Sequence, residues 1–427
     1  MRSCRVIVCD TGSDCPEGDA RELTVSEAET DAPETDVAFL PTRRRCPLDP
    51  PEEYRRIRKE GAPCRVKLPG GQEGWLVTRY ADVRAVLADT RLSSRTHGVA
   101  PAEGDGPAWI PPGMFILMDP PEHTRYRRLL NEGFSARRIR KLKPRIEQIV
   151  EDRLAAMERL GDGPVDLVRE FALPIPSLVV CELLGVPYED VAEFQRTSST
   201  LLSLEGDAEV DAARDAVCQF IHRLVVAKRD RPADDLLSEL ITAGGTQPPL
   251  TDEELVGMGT LLLVAGHEST ASMLSLGVLT LLEHPKWLAA LQADPDGAER
   301  VVDELLRYLT VFQFGLFRTA QEDMELSGAA IRKGETVVAS LAPANRDADR
   351  FPDPDVFDPA RRRGRHLAFG HGVHQCVGLQ FARVELAVAL GALVRRFPKL
   401  ALAAPAERLR FREDAVVYGV EELPVRW

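Results

Sequence analysis

One cysteine in a glycine-rich segment is the residue of this chain best suited to act as an anionic ligand. It is Cys376, in the run Phe369-Gly-His-Gly-Val-His-Gln-Cys376-Val-Gly378, just before a predicted helix that begins at Leu379. Glycines let the backbone approach a flat ligand closely and adopt turns that other residues resist. The free N–H groups at the start of a helix stabilise a thiolate, so we expect Cys376 to ionise easily. A buried structural cysteine in a turn is the alternative from composition alone.

A polar interruption inside a long apolar helix is the second feature that suggests chemistry. The capping-box pattern Thr251-Asp-Glu-Glu254 starts this helix, and it contains the segment Ala265-Gly-His-Glu-Ser-Thr270. A mid-helix glycine costs about 1 kcal/mol relative to alanine, and Ser or Thr hydroxyls can bond a carbonyl one turn earlier and bend the helix. Both a functional groove and a packing glycine beside a satisfied polar cluster fit this pattern. A His-Glu-x-x-His zinc motif is excluded because residue 271 is alanine.

The cysteine loop resembles the haem-binding signature of the cytochrome P-450 family. Residues Phe369, Gly370, His374, Cys376 and Gly378 match it position for position, and the resemblance extends over nearly the whole chain after residue 37. It implies a mainly α fold with small β-sheets, in which a long central helix crosses one triangular domain over the haem. It also implies haem b, iron protoporphyrin IX, with Cys376 as the metal ligand.

The same resemblance assigns roles to several charged side chains. His123, Arg127, Arg318 and His374 are similar to the family's donors to the haem propionates, which must be paired once they are buried. The alternative for His123 and Arg127 is a solvated helix face. Three further residues resemble the family's Glu-x-x-Arg element and its third partner, and we expect them to form a buried charge network: Glu304, Arg307 and Arg361.

The function that the resemblance implies is a haem-thiolate monooxygenase that inserts one atom of O2 by hydroxylation or epoxidation. A thiolate ligand favours O–O cleavage over reversible oxygen storage. The resemblance assigns proton delivery to Glu268 and Ser269, with Thr270 as an alternative hydroxyl. Relatives usually carry Thr at position 269. Serine keeps the hydroxyl but lacks the methyl group that restricts its rotamer, so we expect catalysis with some leakage to peroxide.

The expected substrate is a hydrophobic small molecule: a polyketide or macrolide, a terpenoid or a foreign compound. The substrate is expected to lie between the haem and the variable loops 91–112 and about 193–207, whose low charge is consistent with a hydrophobic ligand. The remaining predicted pocket residues are Leu262, Ala265, Gly266, Phe312, Gln313 and Phe314. Two other readings stay open: a peroxygenase driven by hydrogen peroxide, and a noncatalytic haem-thiolate sensor or carrier.

Electrons are expected to come from separate proteins, because the chain has no flavin or nicotinamide fingerprint. The resemblance implies NAD(P)H as the ultimate source, with a ferredoxin reductase and a ferredoxin as carriers. A basic face on an acidic chain would steer an acidic ferredoxin. Scattered solvated arginines are the alternative. The predicted docking face consists of Arg125, Arg128, Arg137, Arg138, Arg362, Arg363 and Arg365.

Helices predominate among the elements that must position these residues. Apolar residues at three- and four-residue spacing predict helices over 80–88, 122–131, 136–160, 211–228, 251–282, 298–308 and 379–396. Strands are predicted at 65–68 and 74–77, around a Gly70-Gly71 turn. Residues 324–340 are predicted to form paired strands broken at Gly328 and at Lys333-Gly334.

Length and charge narrow the remaining choices. The 427 residues carry a net charge of −13, which argues against nucleic-acid binding. Residues 1–36 hold ten carboxylates against three arginines, so we expect a solvated extension before one domain over 37–427. No apolar run approaches the roughly 20 residues of a membrane-spanning helix, and a cytoplasmic monomer is expected. The eight cysteines are scattered, so disulfides are not expected.

Overall fold

Helices form most of the computed structural model, and they begin and end close to the predicted residues. The structure describes residues 37–69, 71–95, 110–161, 163–191, 193, 207–243, 248–362 and 364–427. The α-helices are α1 (Glu53–Glu60), α2 (Tyr80–Ala88), α3 (Glu122–Gly133), α4 (Ala136–Glu158), α5 (Pro174–Leu184), α6 (Asp207–Asp230), α7 (Leu236–Thr242), α8 (Asp252–Glu283), α9 (Pro285–Ala293), α10 (Ala298–Leu309), α11 (Leu341–Ala344) and α12 (Leu379–Arg396). The prediction of a mainly α fold is confirmed. The expected acidic extension, residues 1–36, lies outside the described residues.

Several of the shorter helices were not predicted from the apolar spacing, and the reasons can be identified. Helix α5 is buried on nearly every side, so its apolar residues show no three- and four-residue pattern. It ends at Gly185, which adopts the left-handed conformation at φ 71°. Helix α9 has Pro285 in its first turn, directly after the end of α8. Proline there is compatible with the first turn of a new helix.

The small β region consists of short strands in three sheets. The strands are β1 (Cys64–Lys67), β2 (Glu73–Val77), β3 (Leu92–Ser93), β4 (Val165–Asp166), β5 (Leu316–Ala320), β6 (Met324–Leu326), β7 (Ala329–Ile331), β8 (Thr336–Ala339), β9 (Ala401–Leu402) and β10 (Pro424–Arg426). The largest sheet has the order β1-β2-β8-β5-β3. The pairing predicted within 324–340 is partly wrong. Strands β6 and β7 form a hairpin, but β8 joins the larger sheet, parallel to β2 and antiparallel to β5.

Helix α8 is the centre of the core in the unit formed by residues 37–427. The predicted capping box is present: the Thr251 N–H donates to Glu254 Oε2 at 2.8 Å, and the Glu254 N–H donates to Thr251 Oγ1 at 3.2 Å. Helix α8 packs against α5, α6 and α12. Among the described helices it alone has the length and apolarity to cross a membrane, but 72% of its apolar window is buried within the fold. That burial identifies a core helix.

Candidate active site

The Cys376 loop is held by its own backbone and by a close approach to α2. The Cys376 N–H donates to the Phe369 carbonyl at 2.9 Å, which closes the loop just before α12. Gly370 and Gly372 have φ values of 67° and 74°, in the left-handed region that favours glycine. A Cβ at Gly372 would overlap the carbonyl oxygen of Leu87 in α2. The two glycines therefore fix where the loop presents the sulfur.

Burial opposes the easy ionisation that the place of Cys376 at the start of α12 predicts. The residue is exposed in the protein alone, yet enough protein surrounds the sulfur that burial raises its pKa. The Gly378 N–H and the Arg127 charge act in the opposite direction and are outweighed. The prediction from helix position alone leaves out the cost of burying an anion, and it stays a prediction. Coordination to a metal cation deprotonates a thiol outright, so the raised pKa does not oppose ligation.

The four predicted cofactor donors lie together beside this loop. The rings of His123 and His374 are 4.1 Å apart between centroids. His123 is 2% exposed, and neither of its ring nitrogens has a hydrogen-bond partner in the described part of the chain. Burial, with the charges of His123 and Arg318, lowers the pKa of His374 to about 3. Burial also lowers the pKa of Arg318 to about 10, with Asp119 opposing it.

This group fits a cofactor that carries carboxylates. Buried donors without acceptors are costly, and an anionic partner would satisfy the His123 ring and the Arg318 guanidinium at once. Arg318 donates to the adjacent Phe317 carbonyl at 2.7 Å, which leaves most of its N–H groups available. Arg127 is half-buried, and its pKa is lowered by burial against the opposing influence of Cys376. The residues therefore match the propionates and the thiolate ligand of a haem.

The predicted charge network is assembled on α10. Arg307 donates to both carboxylate oxygens of Glu304, at 2.7 and 2.8 Å. Arg361 adds a contact to the same carboxylate at 3.2 Å. Arg307 also donates to the carbonyls of Asn345 and Pro354, each at 2.9 Å. The network thus ties α10 to the chain that leads towards the cysteine loop.

The polar segment of α8 is organised by contacts that its sequence did not reveal. Its residues remain α-helical throughout, so the predicted bend does not interrupt the helix. Ser269 Oγ donates to the Ala265 carbonyl at 2.9 Å, and Thr270 is buried. His267 is 4% exposed, and its Nε2 lies 3.3 Å from the Leu173 carbonyl. Burial lowers the pKa of His267 to about 4, so it is a neutral core histidine.

Glu268 is paired with Arg412, a residue that the sequence analysis missed. Arg412 Nη1 donates to Glu268 Oε1 at 2.6 Å, and Nη2 donates to Ser272 Oγ at 2.7 Å. Burial raises the pKa of Glu268, while the charge and the hydrogen bond of Arg412 lower it and only partly compensate. The two residues are 144 positions apart. No local motif connects them, so no sequence signal could have found the pair.

The predicted pocket residues of α8 differ in how exposed they are. Ala265 is exposed, as a pocket residue should be, and the neighbouring Val264 is 37% exposed. Leu262 is 7% exposed and belongs to the main core cluster, so its place in a pocket stays a prediction. A Cβ at Gly266 would lie 3.1 Å from a methyl group of Val180 in α5, which makes it a packing glycine. This contact supports the packing interpretation of Gly266, and its place in a pocket stays a prediction.

The segment after α10 also differs from the prediction. Gln313 is 2% exposed, and its amide donates to the Glu413 carbonyl, so it holds the C-terminal turn. Phe312 and Phe314 are half-buried and pack against two different apolar clusters of the β region. Much of the two predicted substrate loops, residues 96–109, 192 and 194–206, lies outside the described residues.

The predicted basic face loses two of its members. Arg138 is 6% exposed and pairs with Asp234 and Glu239, whose side chains are 66% and 39% exposed. Arg125 pairs with Glu254 at the start of α8. These two side chains form ion pairs within the protein because the acidic groups of α7 and α8 lie against them. Arg128, Arg137, Arg362 and Arg365 are exposed, and Arg363 lies outside the described residues.

A cavity of about 700 Å³ opens beside the cysteine loop. Its lining includes the guanidinium groups of Arg84, Arg365 and Arg383. Arg84 donates to His371 Nε2 at 3.3 Å, while Arg383 donates to Asp303 at 2.9 Å. Arg84 and Arg383 were not predicted from the sequence, because each lies within a regular helix without any distinguishing pattern.

Comparison with known proteins is consistent with this geometry. Residues 207–402 match the family described as Cytochrome P-450. Cytochrome P-450-SU2 from Streptomyces griseolus is 43% identical, with 94% of this chain and 100% of that protein covered. Pentalenic acid synthase from Streptomyces avermitilis is 45% identical, with coverage of 92% and 97%. The crystal structure of CYP105P1 in complex with filipin I superposes with a TM-score of 0.86 at 43% identity, covering 92% and 99%.

Proposed function

This chain belongs to the cytochrome P-450 family, and on that premise we propose that it hydroxylates or epoxidises a hydrophobic small molecule of secondary metabolism. As a member of the family it is an oxygen-incorporating oxidoreductase that uses haem and O2. The resemblance stated from the sequence, the predicted fold class and the predicted enzyme class are confirmed. The open alternative of a noncatalytic sensor or carrier is set aside by the monooxygenase relatives.

The arrangement of Cys376 with His123, Arg318 and His374 is the observation that supports the site most strongly. Bound haem would supply the oxidising chemistry, with Cys376 as the iron ligand and the other three residues, together with Arg127, at the propionates. The chain's own part is to hold the sulfur through Gly370 and Gly372 and to shield the buried charges.

The reduced protein with carbon monoxide tests this ligand assignment. We expect the strongly red-shifted Soret band of thiolate ligation in the wild type, and its loss in Cys376→Ala. Cys64→Ala is the matched control, because Cys64 is a partly buried cysteine in β1, and it should keep the band. Retention of the band in Cys376→Ala would remove the assignment.

Proton delivery is proposed for Glu268 and Ser269, which are consecutive residues of α8. Glu268 supplies a carboxylate whose pKa is raised by burial, a direction that favours carrying a proton near neutral pH. Ser269 supplies a hydroxyl that can donate or accept. Thr270 is less accessible because it is 6% exposed. Glu268→Gln should raise the peroxide formed per NADPH consumed, and unchanged coupling would exclude the carboxylate from the relay.

The substrate is proposed to lie against Val264 and Ala265, the open part of α8. Both residues are apolar and exposed, which suits a ligand without charge. The named relatives act on or bind natural products: one is a nocardicin C N-oxygenase, and one solved structure holds filipin I. A spin-state titration of the ferric protein with polyketides, terpenoids and foreign compounds tests the class. Val264→Asp should abolish binding, whereas Val226→Asp, at an exposed valine on α6, should not.

Electrons are proposed to arrive from NAD(P)H through a ferredoxin reductase and a ferredoxin that docks beside the cysteine loop. The cavity is lined by Arg84, Arg365 and Arg383 against Glu299 and Asp303, so positive charge is in excess there. Arg128 and Arg362 are exposed. Charge reversal, Arg365→Glu, should slow reduction by ferredoxin and weaken its dependence on ionic strength. Arg231→Glu is the control, since Arg231 is 87% exposed at the end of α6. Equal effects of the two variants would refute the docking site. Turnover with hydrogen peroxide alone, at the rate seen with ferredoxin, would favour a peroxygenase.

A cytoplasmic monomer with a separable acidic extension completes the proposal. The charge difference between residues 1–36 and the rest of the chain supports the extension. A chain that starts at Val37 should keep the thiolate Soret band and elute as a monomer. Loss of the band after this truncation would show that residues 1–36 belong to the domain.

A further inference from the structure

A turn near the C-terminus reaches the middle of α8, far from it in sequence. The turn runs from Phe411 to Val420, which form an isolated antiparallel bridge. The Arg412 N–H donates to the Gly419 carbonyl at 2.9 Å, so the backbone fixes the start of the arginine side chain. Gln313 anchors the same turn from the other side through its N–H, at 3.0 Å from the Val416 carbonyl.

The Arg412 guanidinium spans one turn of α8. Its two terminal nitrogens contact Glu268 and Ser272, which are four residues apart and therefore on the same helix face. A Cβ at Gly419 would lie 2.5 Å from Arg412 Nη2 and 2.7 Å from Ser272 Oγ, so glycine is needed for the guanidinium to fit. The side chains of Arg412 and Glu268 are 26% and 17% exposed, so solvent screens the pair only partly.

Arg412 is the charged side chain that acts on Glu268 in the described part of the chain. The adjacent His267 faces the Leu173 carbonyl and is neutral. Glu268 cannot both hold a proton and keep its ion pair with Arg412, because protonation removes the negative charge that the guanidinium pairs with.

We propose that Arg412 is the positioning residue of Glu268, so that the turn Phe411–Val420 decides when this carboxylate can leave its resting pair and carry a proton. The proposal rests on the proposed role of Glu268 in proton delivery. It assigns a part in catalysis to a C-terminal turn that carries no sequence motif.

Infrared titration of the Glu268 carboxyl tests the proposal without using turnover. The band is identified in the ferric, haem-loaded protein as the difference from Glu268→Gln. In Arg412→Gln the midpoint of its protonation should move to higher pH, because the cation that favours the charged form is gone. Arg412→Lys should restore much of the wild-type midpoint. Arg410→Gln is the matched control, since Arg410 pairs with Glu421 directly beside the same turn and is 73% exposed.

A second variant covers the case in which Arg412→Gln fails to fold. Gly419→Ala displaces the guanidinium while Arg412 stays in the chain, and it should move the same midpoint upward. If the midpoint in either variant equals that of Arg410→Gln, the proposal is overturned. Peroxide yield distinguishes this result from failure of the proposed relay. Unchanged coupling in Glu268→Gln would refute the relay, whereas the infrared shift would still report whether Arg412 holds the carboxylate.

Discussion

Removal of Glu304 from the α10 network should destabilise the fold by far more than removal of a surface charge. The carboxylate is bonded to Arg307 at two points and to Arg361 at a third, and the Arg307 and Glu304 side chains are only 3% and 6% exposed. Glu304→Ala therefore leaves a buried guanidinium without its counter-charge. Breaking such a pair costs about 3–5 kcal/mol, which lowers the folding equilibrium constant by roughly two to four powers of ten.

Urea unfolding of the haem-loaded protein, followed by tryptophan fluorescence and by the Soret band, measures this cost. The control is Arg300→Ala on the same helix, whose pair with Asp294 is 3.4 Å long and about 60% exposed on both sides. It should cost less than about 1 kcal/mol. The double variant Glu304→Gln with Arg307→Met should cost less than the sum of the two single variants, because Arg307 is then no longer left as a buried charge without its partner. Strict additivity, or a Glu304→Ala variant as stable as the control, would refute the account of a buried network.

Three further outcomes follow from the site. Burial lowers the pKa of His267 from 6.5 to about 4, so between these pH values the unfolded chain binds a proton that the folded chain does not. The free energy of unfolding should therefore fall by roughly 3 kcal/mol as the pH falls from 6.5 to 4. His267→Asn should flatten that part of the curve of stability against pH. Gly372→Ala should lower haem retention and cost about 1 kcal/mol or more, because the residue has a positive φ and its Cβ would overlap the Leu87 carbonyl; Gly334→Ala, at a positive φ in open space, separates the strain from the overlap. Ser269→Ala should raise the peroxide formed per NADPH, and unchanged coupling would leave Thr270 or water as the donor.

Local patterns predicted the parts of this protein whose causes are local. The apolar spacing gave α2 and α12 to the residue, and the capping box gave the start of α8. The buried helix α5 and the parallel pairing of β8 with β2 depend on neighbours distant in the chain, so no periodicity reveals them. The same division holds in the site. The cysteine loop is a contiguous motif, whereas the raised thiol pKa and the bond from Arg412 to Glu268 arise only after folding.

Within the proposed relay, the contacts of Ser269 and Glu268 make release of the carboxylate the more costly step. Ser269 donates its one hydroxyl proton to the Ala265 carbonyl, and breaking a neutral hydrogen bond of this kind costs about 0.5–1.5 kcal/mol. Glu268 must leave a charge-assisted bond to Arg412, for which about 1.5–3 kcal/mol is typical. Rotation of the Ser269 hydroxyl therefore costs less free energy than release of the Glu268 carboxylate. Serine instead of threonine at position 269 should then change the peroxide formed per NADPH more than it changes the rate of proton supply.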